Sequence, residues 1–354
     1  MLTRRNFLVG TSLALAACHA ARTTESLRPP PLDLLILGGT RFLGPALVHA
    51  AQARGHRLTL FNRGKSDPGL FADQPGLRTV HGDRDGGLGA LAGLRFDAVL
   101  DTSGFFPRLV GAAAMALREN ARHYVFISSI SAYRDPSKPI TEDAPLATLA
   151  DPTVERIDEK TYGGLKVLCE QAAERAMPGR VTVVRPGFIV GPRDGSDRFT
   201  YWPARVARGG EMLVPGTPTD PIQVIDVRDL SAWLILLCER RVMGAFNAVG
   251  PPTPMGDVLR ACEEVTGGHP RYRWVDAAFL EAQDADTPIW VPPTGAFAGF
   301  ARTSGAKAVA AGLTFRPVRD TLRDLWAWWL TLPAARRAAP RAGMKPEREV
   351  ELLA

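Results

Sequence analysis

Cysteine is scarce. The four in 354 residues stand at positions 18, 169, 238 and 262, with no CxxC pair and no metal-ligand spacing, so neither a disulfide framework nor a zinc site is encoded. The apolar stretch that opens the chain, Val9 to Cys18, is too short for a membrane helix, which needs about 20 residues. Charge of one sign is also lacking: 43 Lys+Arg against 37 Asp+Glu leaves +6, a mild excess that fits nucleic acid, an anionic cofactor or neither. What is present is ordinary globular material. Hydrophobic residues make up 45% and charged residues 23%, enough for a large core and unlike a disordered chain, and the length predicts about two domains.

The small excess of charge is unevenly placed. Arg4 and Arg5, with no acid before Cys18, account for two units, and residues 333–354, with five basic and three acidic residues, for two more. Residues 18–332 are left at +2, too little for a nucleic-acid surface. The opening Thr3-Arg4-Arg5-Asn6-Phe7-Leu8 resembles a twin-arginine export motif, which engages a translocase that carries folded proteins, so residues 1–17 are expected to be a signal peptide and the protein to be exported to the periplasmic side of a bacterial envelope. Leu15-Ala16-Ala17-Cys18 resembles a lipoprotein box, which makes Cys18 the candidate lipidation site and a lipid anchor an expected partner. Residues 18–31, ending in three prolines, read as an extended tether.

The folded part opens on a short apolar run, Leu32 to Leu37, that meets Gly38-Gly39-Thr40-Arg41-Phe42-Leu43-Gly44 before a helical pattern from Pro45 to Arg54. Strand, glycine turn and helix together form a cradle in which backbone N–H groups and the positive helix end receive a pyrophosphate. Gly38 and Gly44 take the outer glycine places and Gly39 eases the turn, while Arg41 stands where the usual fingerprint has its middle glycine. The next strand, His56 to Phe61, runs into Asn62-Arg63-Gly64-Lys65. An acid that would bind a ribose 2′-hydroxyl is absent there, and an Asn-Arg pair with Arg41 nearby suits a 2′-phosphate, so NADP is expected over NAD, with NAD possible.

Alternation continues with strands over Leu77–Asp83, Phe96–Asp101 and His123–Ile127 and a helix between Pro107 and Asn120. This predicts an α/β, Rossmann-like doubly wound parallel sheet, with Asp83, Ser103 and their neighbours at the carboxyl ends where ligands bind. After the fifth strand comes Ser128-Ser129-Ile130-Ser131-Ala132-Tyr133, and later Tyr162-Gly163-Gly164-Leu165-Lys166, a Tyr-x-x-x-Lys pair on one helix face. A lysine ammonium can lower a neighbouring phenol toward a useful acid/base range, and a serine hydroxyl can bond a carbinol oxygen.

In these motifs the chain resembles the extended short-chain dehydrogenase/reductases, the NAD(P)-dependent epimerase/dehydratase family, over about residues 33 to 332. Val181 to Pro192 resembles that family's sixth strand and its Arg-Pro-x-x-x-x-Gly-Pro continuation, and Ile225 to Leu230 resembles a later strand-to-helix junction. The resemblance implies Ser129, Tyr162 and Lys166 as catalytic residues. It places cofactor contacts on Gly38, Gly39, Thr40, Arg41, Phe42, Leu43, Gly44, Asn62, Arg63, Asp83, Ser103, Tyr162, Lys166 and Pro186. Ser128, one residue away, is the competing hydroxyl, and strand register decides between the two. The resemblance also implies a homodimer through the Tyr-x-x-x-Lys helix and the one before it, which Leu165, Leu168 and Ala172 permit.

The expected domains are a cofactor-binding Rossmann domain over 32–186, a mainly substrate-binding region over 187–332 and a basic C-terminal tail over 333–354. No arginine precedes Ile222 where nucleotide-sugar epimerases hold a diphosphate, and none lies between Arg273 and Arg302, which speaks against a UDP-sugar substrate. Arg193 to Trp202 mixes polar groups with rings and suits a sugar-like polyol, or else caps the core. The expected function is chemistry at a carbinol carbon of a sugar-like or other small polar substrate. A noncatalytic NADP-binding or RNA-binding protein is the alternative.

Overall fold

The run Leu34-Leu35-Ile36-Leu37 is buried on both sides, as expected for a central parallel strand covered by helices on each face. Leu34 and Ile36 point into one hydrophobic cluster and Leu35 and Leu37 into another, the period of two that a strand imposes. The computed structural model describes residues 30–354 apart from 68, 72, 73 and 286, so Arg4, Arg5 and Cys18 lie outside the described residues.

In chain order the Rossmann half contains β1 (Asp33–Leu37), α1 (Leu43–Ala53), β2 (Arg57–Asn62), β3 (Leu77–His81), β4 (Ala98–Asp101), α2 (Pro107–Leu117), β5 (Tyr124–Ile127), α3 (Tyr162–Ala176) and β6 (Val181–Pro186). There follow β7 (Phe188–Val190), α4 (Tyr201–Ala207), β8 (Glu211–Pro215), β9 (Pro221–Ile222), β10 (Val224–Asp226), α5 (Val227–Arg240) and β11 (Gly244–Ala248). The chain closes with β12 (Thr253–Pro254), α6 (Met255–Thr266), β13 (Arg271–Val275), α7 (Ala277–Ala282), α8 (Ala306–Ala310), α9 (Val318–Thr331), α10 (Ala334–Ala338) and α11 (Pro346–Leu353).

Seven strands form the main sheet in the order β11-β6-β5-β4-β1-β2-β3, and every pairing in it is parallel. The order reverses between β1 and β4, and a doubly wound sheet binds ligands beyond the strand ends at such a switch point. One face is packed by α1 and α5 through Leu47, Val48, Leu230 and Leu234, the other by α2 and α3 through Val110, Ala114, Cys169 and Ala173. The seventh strand, Gly244–Ala248, carries too little apolar sequence to announce itself and is held by pairing with β6. Asp226 caps α5 by accepting from Arg228 N at 2.8 Å, the strand-to-helix junction expected at Ile225–Leu230.

A second core holds the later segments together, with Phe199, Trp202, Val214, Leu259, Leu322 and Leu325 among its members. The three described cysteines are all buried as packed thiols. The C-terminal segment is not the detached basic tail its composition suggested. Met344 and Leu352 belong to the second core, and buried Glu349 accepts from Arg205 Nε at 2.6 Å and from Leu213 N at 3.2 Å. Its decisive charge is therefore an acid, facing an arginine from α4. Among the described residues no helix is long and apolar enough to cross a membrane.

Removing one partner of a buried ion pair leaves the other charge desolvated and alone. Glu349→Ala is accordingly expected to lower stability by about 3 to 5 kcal/mol in urea unfolding; a loss under about 1 kcal/mol would show that the segment contributes little to the fold.

Candidate active site

Every candidate residue from Gly38 to Pro186 lies at or just beyond the carboxyl end of a sheet strand or in the first two turns of α1 or α3. The turn after β1 has the shape of a cradle. Gly38 and Gly39 adopt φ of +108° and +97°, conformations that strain any L side chain. A Cβ on Gly38 would stand 2.7 Å from Thr102 Oγ1, and one on Gly44 would stand 2.3 Å from the Gly39 carbonyl carbon, so helix α1 starts hard against the turn. No acid occupies the first turn of α1, which leaves its positive end open to an anion.

Gly38 N donates to Phe61 O at 2.9 Å, which puts the β2 end beside this turn. There Asn62 Oδ1 accepts from Gly64 N at 2.9 Å and folds the following loop. Arg41 and Arg63 are exposed, and among the described residues neither has a carboxylate partner. Asp83, exposed past β3, uses Oδ1 to accept from Asp85 N at 3.1 Å. Ser103 is partly engaged: its hydroxyl donates to Leu37 O at 3.2 Å and accepts from Arg84 Nη1 at 3.2 Å.

The register question at the β5 end has a geometric answer. Ser128 donates to Glu170 Oε1, and Glu170 is in turn gripped by Arg185 at 3.0 and 2.7 Å. Ser129 is left as the hydroxyl beside Tyr162, and it also accepts from Ser131 N at 3.1 Å. Two glycines bring α3 to that loop: a Cβ on Gly163 would lie 2.1 Å from Ser131 O and one on Gly164 2.5 Å from Leu149 Cγ.

Burial raises the Tyr162 phenol above its ordinary 10.0, opposed by the Ser129 hydroxyl and the Arg198 charge. The Lys166 ammonium donates to Ile127 O at 2.6 Å and Gly104 O at 2.8 Å, and stands 4.4 Å from the centre of the Phe126 ring. Burial brings Lys166 down to about 8, while nearby acidic groups, Asp101 and Glu170 among them, oppose the fall. Lys166 thus ties the ends of β4 and β5 together.

Two buried pairs behind the site escaped sequence reading. Arg84 forks onto Asp101 at 3.0 and 2.8 Å, and Tyr124 donates to the same carboxylate at 2.7 Å. Burial would raise Asp101, but the Arg84 charge outweighs it and holds the carboxyl low. Arg185 also donates to Tyr133 OH at 2.9 Å, which donates to Asn247 Oδ1 at 2.6 Å. The only sequence signal was an acid eight residues after the tyrosine and an arginine inside an apolar strand. Of the two readings of the 193–202 segment, the rings follow the second: Phe199, Tyr201 and Trp202 are core residues. Leu165, offered as a dimer contact, is turned inward and is 1% exposed.

The fold belongs to the Rossmann-like α/β class solved with bound dinucleotide. Among solved structures, the Bordetella bronchiseptica enzyme WbmG in complex with NAD and UDP superposes with a TM-score of 0.64 at 18% identity, covering 84% of this chain and 95% of that one. No protein-family model matches the chain. By sequence it is 30% identical over 255 residues to the chloroplast stem-loop binding protein of 41 kDa b of Arabidopsis thaliana, covering 67% of this chain and 64% of that protein. It is 28% identical over 267 residues to sterol demethylase protein B of Methylococcus capsulatus, covering 68% of this chain and 76% of that protein.

Gly163→Ala should force α3 away from the Ser129 loop at a cost of about 1 to 3 kcal/mol in urea unfolding, since overpacking against a carbonyl has no soft neighbour to yield. An unchanged midpoint would mean the helix is not held by that contact.

Proposed function

We propose that the chain is an NADP-dependent enzyme of the extended short-chain dehydrogenase/reductase type, acting at a carbinol carbon of a sugar-like or other small polar substrate by oxidation, reduction, epimerisation or dehydration. The observation that carries this reading is that Ser129 stands beside Tyr162 at the end of β5 while Lys166, one helical turn on, is bonded to the carbonyls of Ile127 and Gly104 at the ends of β5 and β4. The residues present fit a dinucleotide: the positive φ of Gly38 and Gly39 and the tight packing of Gly44 on Gly39 make the turn that starts α1, whose first turn holds no acid, and Arg41 and Arg63, exposed and without a carboxylate partner among the described residues, would supply cations for a 2′-phosphate. When bound it supplies the hydride acceptor or donor.

The rest of the chemistry belongs to the chain. Tyr162, kept protonated by burial, gives a proton to a carbinol oxygen in one direction and takes it in the other. Ser129 holds that oxygen by a hydrogen bond. Lys166 supplies a charged donor for the ribose hydroxyls at the junction of β4 and β5, exchanging one of its carbonyl partners to do so. We further propose export through the twin-arginine route, lipidation at Cys18, and a redox-neutral cycle on tightly held NADP, because soluble NADPH is not regenerated outside the cytoplasm. A homodimer through α2 and α3 would use exposed residues such as Met115.

One observation favours a second reading, in which the protein binds RNA without catalysis: the similarity to the Arabidopsis stem-loop binding protein. Many of the arginines, however, are spent on internal acids, Arg54 on Glu239, Arg57 on Asp33, Arg228 on Asp324 and Arg316 on Asp229 among them. A gel shift on a stem-loop RNA that weakens steeply with salt would support it.

Tyr162→Phe is expected to lower turnover by about 10²- to 10⁴-fold with NADP binding unchanged, the loss typical of removing a general acid; retained turnover would remove Tyr162 from the chemistry. Fluorescence titration should show tighter binding of NADPH than of NADH, and the reverse order would overturn the 2′-phosphate assignment. NADPH affinity should also fall as pH rises through about 8, where Lys166 loses its proton, and Lys166→Met should abolish that dependence.

A further inference from the structure

Beyond the Ser-Tyr-Lys site, the loop after β7 presents one arginine in an unusual state of readiness. Arg198 is exposed, and among the described residues it has no carboxylate partner. Two of its surfaces are nevertheless occupied. Its guanidinium carbon lies 5.2 Å from the centre of the Phe188 ring, and its Nε donates to Ser196 Oγ at 3.1 Å. Ser196 is held in turn, because its hydroxyl donates to Asp194 Oδ1 at 2.7 Å and its backbone N–H donates to the same oxygen at 2.9 Å. Asp194 is buried, 4% exposed. The loop is pinned again at Asp197, 0% exposed, which accepts from Arg341 N at 2.8 Å and from Arg336 Nη2 at 2.5 Å.

The guanidinium plane is therefore set by a ring on one face and a hydroxyl at Nε; its charge acts on buried Asp194 across Ser196, but among the described residues its two terminal nitrogens make no ion pair. Arg193, its neighbour in the same loop, is spent on Asp67 at 3.2 Å. Position ties Arg198 to the reaction site. Phe188 follows β6, which pairs with β5, and Ser128 N donates to Val184 O at 2.7 Å, so the ends of these two strands lie side by side. A Cβ on Gly187 would be 3.6 Å from Ile130, the residue after Ser129. Phe188 also packs on Phe300, ring centres 5.6 Å apart, which makes an apolar wall under the guanidinium. The Arg198 charge reaches Tyr162 and favours its phenolate.

We propose that Arg198 is a carboxylate-recognition residue, and that the substrate is a hydroxy or oxo acid with its anionic group held by the two terminal nitrogens of Arg198 while its carbinol meets Ser129 and Tyr162. This deepens the function proposed above and rests on it for the carbinol. A planar two-point fork is what a carboxylate matches, and an arginine already ordered by stacking loses less freedom on binding it. A free diphosphate is disfavoured because the diphosphate-holding arginines expected of nucleotide-sugar enzymes are missing before Ile222 and between Arg273 and Arg302.

The test is calorimetric titration of the full-length NADP-loaded protein with three matched pairs of ligands: mandelate and mandelamide, 3-hydroxybutyrate and its amide, galacturonate and galactose. UDP is run alongside. In at least one pair the acid is expected to bind about tenfold or more tighter than its neutral twin, the effect of charge-assisted hydrogen bonds at a partly exposed site. Arg198→Met should erase that preference and Arg198→Lys should restore only part of it, because an ammonium has no fork. No preference for the acid in any pair, a preference that survives Arg198→Met, or tighter, Arg198-dependent binding of UDP than of every acid would each overturn the proposal. The same titrations on Tyr162→Phe separate the two readings. Acid preference retained there beside wild-type protein that turns over nothing would leave Arg198 standing and sink the carbinol chemistry.

Discussion

The buried ion pair between Glu170 and Arg185 is the constraint on which the site depends. Glu170 lies on α3 and Arg185 on β6, and both are nearly inaccessible to water. Two desolvated charges are costly, and the cost is offset only because the pair is bidentate and its remaining atoms are used. Ser128 takes a Glu170 oxygen, Tyr133 takes the spare arginine nitrogen and stacks 4.9 Å from it, and Asn247 takes the tyrosine hydroxyl. The network thus joins α3, the loop after β5, β6 and β11. By occupying Ser128 it leaves Ser129 as the hydroxyl beside Tyr162, so a structural pair decides which serine is free for the role proposed for it.

A second fixed point lies one turn earlier on the same face of the helix. Lys166 is bonded to carbonyls at the ends of β4 and β5, and Arg84 with Asp101 fills the space behind the β4 end. The helix that carries Tyr162 is therefore held at three levels: by Gly163 against Ser131 at its start, by Lys166 one turn on, and by Glu170 another turn on. Residues four apart on one helix face can do this together. A rigid scaffold of this kind suits a group that must deliver a proton to one oxygen and nowhere else.

Much of this was legible in the sequence, for identifiable reasons. Strands buried on both faces write continuous apolar runs, so β1, β2, β4 and β5 were found within a residue or two. The glycine turn and the Tyr-x-x-x-Lys spacing carry steric and periodic signals of their own. What stayed hidden depends on long-range pairing. β11 is a strand because β6 lies beside it, Glu349 matters because Arg205 is buried opposite, and Glu170 chooses Ser128 through a contact across 42 residues. The rings of Phe199, Tyr201 and Trp202 left two readings open, a binding platform or a cap on the core, because sequence does not distinguish an aromatic facing a core from one facing a ligand. Phe188, which does meet the Arg198 guanidinium, sat inside an apolar strand pattern and drew no notice.

The proposed role of this cradle and this tyrosine is to serve a nicotinamide nucleotide, with a 2′-phosphate met by Arg41 and Arg63, which have no carboxylate partner among the described residues. Its most direct test is to equilibrate the folded protein with equal NADP and NAD, remove free nucleotide, denature, and identify by mass spectrometry what is released. The account predicts NADP in clear excess over NAD. Release of neither nucleotide, or of NAD in excess over NADP, would contradict it.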